Sequence, residues 1–348
     1  MKILVTGAAG FIGSRVMTTL ALRGDEVVGL DNINDYYDVR LKYARLRNAG
    51  FNLPFDDMQF GEIVSSTTIP GLRFVRMAID DKPALDSLME AERFDKVINL
   101  AAQAGVRYSI THPYSYLQSN LVGFLNILEG CRNFGVKYLV YASSSSVYGL
   151  NSKVPYSEDD KVDSPVSLYA ATKKSNELMA HAYSKLYGLK VTGLRYFTVY
   201  GPYGRPDMSP MLFATAIAKN EPIKVFNNGD MIRDFTYIDD IVEGTVQVLD
   251  NEPVAEDLPN GVAARVYNIG CSHPVKLMDF ISEIEHAMGR EAKKIFLPMQ
   301  QGDVYQTNAD TTKLETEVGY RPSRSLHYGI GEFVRWFFSD ENPLKPEI

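Results

Sequence analysis

Short apolar, β-branched runs recur along the first part of the chain, at 2–6, 26–30, 73–76, 96–100, 137–143 and 191–195. Between them lie stretches with helical periodicity, at 14–23, 83–91, 119–133 and 167–187. Strand–helix alternation of this kind predicts βαβ units and a parallel sheet covered on both faces, an α/β chain of the doubly wound Rossmann type. The stretch 36–72 is longer than a plain connection needs, and reads as part helix, part polar loop around Pro54 and the Pro70-Gly71 turn. No function attaches to it at this stage. After Gly201, Pro and Gly become frequent and the elements shorten. The pattern predicts a nucleotide-binding domain over 1–200, with 234–250 packing back on it. A smaller mixed α/β substrate domain is expected from 201–233 and 251–348, with the 340–348 tail loosely held.

Composition narrows the field. A length of 348 residues suits two domains at roughly 150 residues each. A chain that is 45% hydrophobic and 23% charged is neither disordered nor fibrous. A formal net charge of −7 argues against nucleic acid as a partner, which needs a basic face. Two cysteines, Cys131 and Cys271, make no disulfide framework and suit a reducing compartment. No apolar run approaches the ~18 residues of a membrane span. The first residues enter a strand pattern directly, so the expectation is a cytoplasmic protein with no membrane partner. Five histidines without ligand spacing predict no metal site.

The first run exits into Thr6-Gly7-Ala8-Ala9-Gly10-Phe11-Ile12-Gly13, which opens a helix. Gly7 permits a tight turn, Gly10 a close backbone approach to a pyrophosphate, and Gly13 close helix–sheet packing. The free N–H groups at Gly10-Phe11-Ile12-Gly13 would face that anion. Asp31 ends the second run, where an acid accepts from an adenosine ribose and repels a 2′-phosphate, favouring NAD over NADP. A turn or capping role for Asp31 is the alternative.

Tyr169 and Lys173 stand four apart in a helical stretch, so they share a face. A nearby cation favours the phenolate, which makes such a tyrosine a general base. The same spacing also occurs on solvated helices. Weight comes from Ser143-Ser144-Ser145-Ser146 at the end of the fifth strand, because ligands bind at the carboxyl ends of strands in this fold. A plain polar exit from the strand is the alternative for the serines.

The glycine loop, Asn99-Leu100-Ala101-Ala102, Ser143 to Gly149 and Tyr169-x-x-x-Lys173 resemble the extended short-chain dehydrogenase/reductase superfamily over essentially the whole chain. Within it, Ala102 to Ser109, Ser167 to Lys174, Phe197 to Met208 and Arg233 to Asp240 resemble the UDP-glucuronate 4-epimerase family. The resemblance implies an NAD-dependent epimerase that takes a UDP-sugar. Tyr169 would be the base, Lys173 its tuner and a ribose ligand, and Ser144 the hydroxyl relay. Asn32, Ala101 and Asn120 would lie by the cofactor, and Ser145 by the sugar. Arg233 would bind the UDP phosphates and Asp303 the uridine ribose. Thr198 and Arg205, with Arg107, would meet the sugar carboxylate, although Arg205 could instead bind a phosphate or pair with Asp207. Ala78 stands where relatives carry an acid toward adenine, so no adenine contact is inferred. Dehydratases and decarboxylases of the superfamily carry acids where this chain has Ser145-Ser146. The remaining alternatives are 4-epimerisation of a neutral UDP-hexose or UDP-N-acetylhexosamine, and a non-catalytic NAD-binding protein. The long helical stretches at 119–133 and 167–187 imply, by the same resemblance, a homodimer.

Overall fold

The computed structural model describes residues 1–52, 58–258, 260–300 and 303–346. Pro54 and the last two residues of the tail lie outside them. Thirteen strands are present among the described residues: β1 (Lys2–Thr6), β2 (Glu26–Asp31), β3 (Ile63–Ser65), β4 (Leu72–Arg76), β5 (Lys96–Asn99), β6 (Tyr138–Ser144), β7 (Lys190–Tyr196), β8 (Thr198–Tyr200), β9 (Ile223–Val225), β10 (Ile232–Tyr237), β11 (Ala264–Ile269), β12 (Pro274–Lys276) and β13 (Lys294–Phe296). The main sheet runs β11-β7-β6-β5-β1-β2-β4-β3 and is parallel except at β3. Its central strands are buried on both faces. Ile3 and Val5 of β1, Ile98 of β5 and Val140 of β6 pack into one core; Leu4, Val97 and Leu139 pack into the other. That period of two sends alternate side chains to opposite helix layers.

Two parts of this sheet differ from the expectation. The 36–72 stretch supplies an edge strand, β3, antiparallel to β4, and a helix, Arg40–Asn48. The other edge, β11, comes from the 251–348 part assigned above to the substrate domain, and pairs in parallel with β7 over six residues. The boundary is therefore crossed once more than predicted, because β7 would otherwise leave its backbone groups unpaired. The helix Ile238–Asp250 lies on the main sheet: Lys96 Nζ donates to Leu249 O at 2.8 Å, and Arg15 pairs with Asp239. Two short sheets, β12-β10-β8 and β13-β9, form the rest. No helix among the described residues is long and apolar enough to cross a membrane.

Candidate active site

The glycine loop has the shape its sequence predicts. Gly7 has φ of +69°, and a Cβ there would meet Ala101 N at 2.8 Å. A Cβ on Gly13 would stand 2.1 Å from Gly7 O, so the helix Phe11–Leu22 starts against bare backbone. No side chain caps that helix, which leaves its first N–H groups to a ligand. Asp31 is buried and fills the turn role. Its carboxylate accepts from Ala9 N at 3.1 Å and Ile33 N at 2.7 Å, which ties the glycine loop to the end of β2. Asn32 caps the next turn through Asn34 N, and Ala101 N bonds Thr6 Oγ1 at 3.1 Å beside the loop. A cradle closed to any Cβ, with an acid at its far edge, fits a dinucleotide.

The helix Leu168–Tyr187 is capped by Ser167, whose Oγ accepts from Ala170 N, and ends at Gly188 with φ of +71°. It carries Tyr169 and Lys173 toward the carboxyl end of β6. Burial raises the Tyr169 phenol above its ordinary value; the Ser144 hydroxyl and the charge of Arg205 pull it back. Lys173, expected to do that tuning, instead donates to Ala142 O at 2.9 Å, and burial lowers its ammonium to about 8. Two of its three protons remain for another acceptor. Ser144 donates to Ser146 Oγ at 3.0 Å and accepts from Ser146 N, so a short turn over Ser145–Tyr148 fixes it beneath the phenol.

Asn120 is fully buried and its amide is spent inside the protein, on Gln103 N, Gln103 O and Thr172 Oγ1. It holds the Gln103 loop against the helix of Tyr169. Arg107 is half exposed. It pairs with Asp303 at 3.1 Å over the ring of Phe226. Arg233 lies beneath the same loop, donating to Val304 O at 2.7 Å and Tyr305 O at 2.9 Å. Arg107, Asp303 and Arg233 thus cluster at one loop. Thr198 opens β8 in register with Phe235, two residues from Arg233. Arg205 forms a bidentate pair with Asp207, at 3.0 and 2.5 Å, and sits over the Tyr36 ring.

The sequence reading missed two groups. Glu177, four residues beyond Lys173 on the same helical face, pairs with buried Arg195 at 2.8 and 2.9 Å and accepts from Ser143 Oγ at 2.7 Å. The i, i+4 spacing from Tyr169 through Lys173 was the available sign. Tyr36 and Arg45, from the stretch without a reading, reach the Arg205 loop across more than 150 residues of sequence, which no local pattern reports.

Residues 3–270 match the model of the NAD dependent epimerase/dehydratase family. A probable UDP-glucuronate 4-epimerase of Rhizobium meliloti is 43% identical, with 98% of each chain covered. UDP-glucuronate 4-epimerase 4 of Arabidopsis thaliana is 45% identical over 97% of this chain and 76% of its own. The crystal structure of UDP-glucuronic acid 4-epimerase from Bacillus cereus, in complex with UDP-glucuronic acid and NAD, superposes with a TM-score of 0.83 at 34% identity. That match covers 97% of this chain and 98% of the other.

Proposed function

Because the chain belongs to the NAD-dependent epimerase/dehydratase family, we propose that it interconverts UDP-glucuronate and UDP-galacturonate, inverting C4 of the sugar with bound NAD. One observation supports this reading most directly: the Tyr169 ring meets Tyr116 edge-on at 6.0 Å, Tyr116 bonds the Gly105 carbonyl, and the Tyr36 hydroxyl packed against Gly105 lies 3.5 Å from Arg205 Nη2, a short chain of contacts from the proposed base to the proposed carboxylate receptor. The glycine loop and Asp31 would hold NAD, with Lys173 at its nicotinamide ribose. Bound NAD supplies a reversible hydride acceptor for C4. Tyr169 takes the O4 proton, directly or through Ser144, and returns it on the opposite face of the sugar. Between those events the sugar is a flat 4-ketone that turns over in the pocket. UDP stays clamped meanwhile, through Arg233 and Asp303, with Arg107 closing that end; remote binding energy of this kind positions the reacting carbon.

The 4-ketone is also a β-keto acid. If its C5–C6 bond aligns with the carbonyl π system, that bond breaks and carbon dioxide leaves. The electron pair passes into an enolate, and a proton returns at C5. Thr198 and Arg205 would hold the carboxylate out of that alignment by charge-assisted hydrogen bonds. Wild-type protein given UDP-glucuronate should yield UDP-galacturonate with only trace pentose by proton NMR. Thr198→Ala should raise the pentose share about tenfold, the weight of one hydrogen bond to a charged group. A variant that only slows, with no pentose, contradicts this role.

Leu117, Val122 and Leu125 on one side, and Leu178 and Leu186 on the helix Leu168–Tyr187, are apolar and exposed. These helices support a homodimer, which light scattering reads as twice the chain mass. The two unpaired cysteines support a cytoplasmic location. Service to polysaccharide synthesis follows from a uronate product, and a gene deletion that leaves galacturonate in the cell's glycans would contradict it.

A further inference from the structure

The helix and loop of the 36–72 stretch have contacts that assign them a task. Arg45, from the helix Arg40–Asn48, is buried and donates to Ala9 O of the glycine loop at 3.0 Å. The same guanidinium donates to Tyr203 O at 2.7 Å, and to Tyr37 at 2.6 Å. Tyr203, held there with φ of +62°, leads directly into Gly204 and Arg205. Tyr36 completes the connection. Its hydroxyl donates to Asp207 Oδ2 at 2.9 Å, and Arg205 Nη2 approaches that hydroxyl at 3.5 Å. The site for the Tyr36 hydroxyl exists only because residue 105 is glycine, where a Cβ would stand 2.5 Å from it. Behind Gly105, Tyr116 bonds the Ala104 and Gly105 carbonyls and meets the Tyr169 ring edge-on at 6.0 Å between centroids.

This arrangement fixes the direction of the Arg205 guanidinium. Asp207 takes Nε and one N–H of Nη2, and the Tyr36 hydroxyl lies beside the other. Nη1 has no partner among the described residues. A guanidinium carries five N–H donors in a rigid plane, so fixing one edge aims the other. We propose that Tyr36 and Asp207 are positioning residues for Arg205, and that this bracing of Arg205, made from the 36–72 stretch and the Asp207 loop, keeps the substrate carboxylate out of line with the C4 ketone. The proposal rests on the uronate 4-epimerase reading above. Neither residue touches the sugar in it; both act through Arg205.

The conservative variants are Tyr36→Phe, which keeps the ring, and Asp207→Asn, which keeps the shape. Each is given UDP-glucuronate, and the ratio of pentose to UDP-galacturonate is read by proton NMR beside wild type. Expected is a rise of about tenfold in that ratio for Asp207→Asn, the weight of one charge-assisted hydrogen bond, and a smaller rise for Tyr36→Phe. A general loss of stability would slow both products together and leave the ratio alone. An unchanged ratio in both variants, at any rate of turnover, overturns the proposal. So does tighter binding of UDP-glucuronate by Asp207→Asn with an unchanged ratio, since Asp207 would then only compete for Arg205. Wild-type protein that leaves UDP-glucuronate untouched overturns the underlying reading and the proposal together.

Discussion

Replacing Tyr169 with phenylalanine lowers turnover of UDP-glucuronate by about a thousandfold, within the range a positioned general base contributes. In the proposed reaction the phenol, near the carboxyl end of β6, moves the O4 proton and changes charge as it does so. Burial opposes its anion, while the Ser144 hydroxyl and the charge of Arg205 favour it. Deleting a single hydroxyl leaves the ring in place against Tyr116, so folding is unaffected. The loss therefore falls on kcat, with KM nearly unchanged. In the free protein burial holds the phenol above its ordinary value, so kcat/KM for wild type rises with pH through the neutral range, and the variant loses that rise. A variant retaining a tenth or more of wild-type turnover assigns the proton transfer to another group.

Glu177→Gln is the substitution expected to cost the fold most, about 3–5 kcal/mol, as breaking a buried ion pair does. Burial alone would raise the Glu177 carboxyl; the Arg195 guanidinium outweighs it and holds the carboxyl below its usual value. Arg195 also donates to Tyr148 at 3.0 Å, and Tyr148 donates to Asn268 at 2.6 Å, so four elements meet at one pair. Removing the carboxylate leaves a buried cation without its paired acid. Denaturant titration of the variant reads the loss directly. Because the folded-state value is lowered, the pair's stabilisation is present above the ordinary carboxylate range and is lost as pH falls through it. Pairing Glu177→Leu with Arg195→Met removes both charges and recovers most of the stability, since apolar replacement of a whole buried pair is nearly neutral. A single variant as stable as wild type contradicts the account of this pair.

The parts of the molecule legible in the sequence are those whose contacts are local. The strands β1, β5 and β6 are apolar on both faces and announce themselves as runs. The glycine loop and the Tyr169–Lys173 spacing each lie within eight residues, and the backbone around them has the form they imply. What stayed hidden is carried by pairs distant along the chain. β11 has no mark distinguishing it from a strand of the smaller sheets; only its pairing with β7 places it in the main one. Arg45 shares its helix with Arg40, Lys42 and Arg47, and nothing local sets it apart, yet it bonds Tyr203 O across 158 residues. Asn120 bonds Gln103 N and Thr172 Oγ1, 17 and 52 residues away along the chain. Tyr36 is separated from Asp207 by 171 residues, so its contact depends on the assembled fold.

The central claim is that C4 is oxidised and re-reduced within one closed site holding its own NAD. UDP-glucuronate carrying deuterium at C4, incubated with the purified protein in ordinary water and followed by proton and deuterium NMR, tests it most directly. The account predicts UDP-galacturonate that keeps the deuterium at C4, with no added cofactor and only trace pentose. Product carrying protium at C4, or pentose in place of galacturonate, would contradict it.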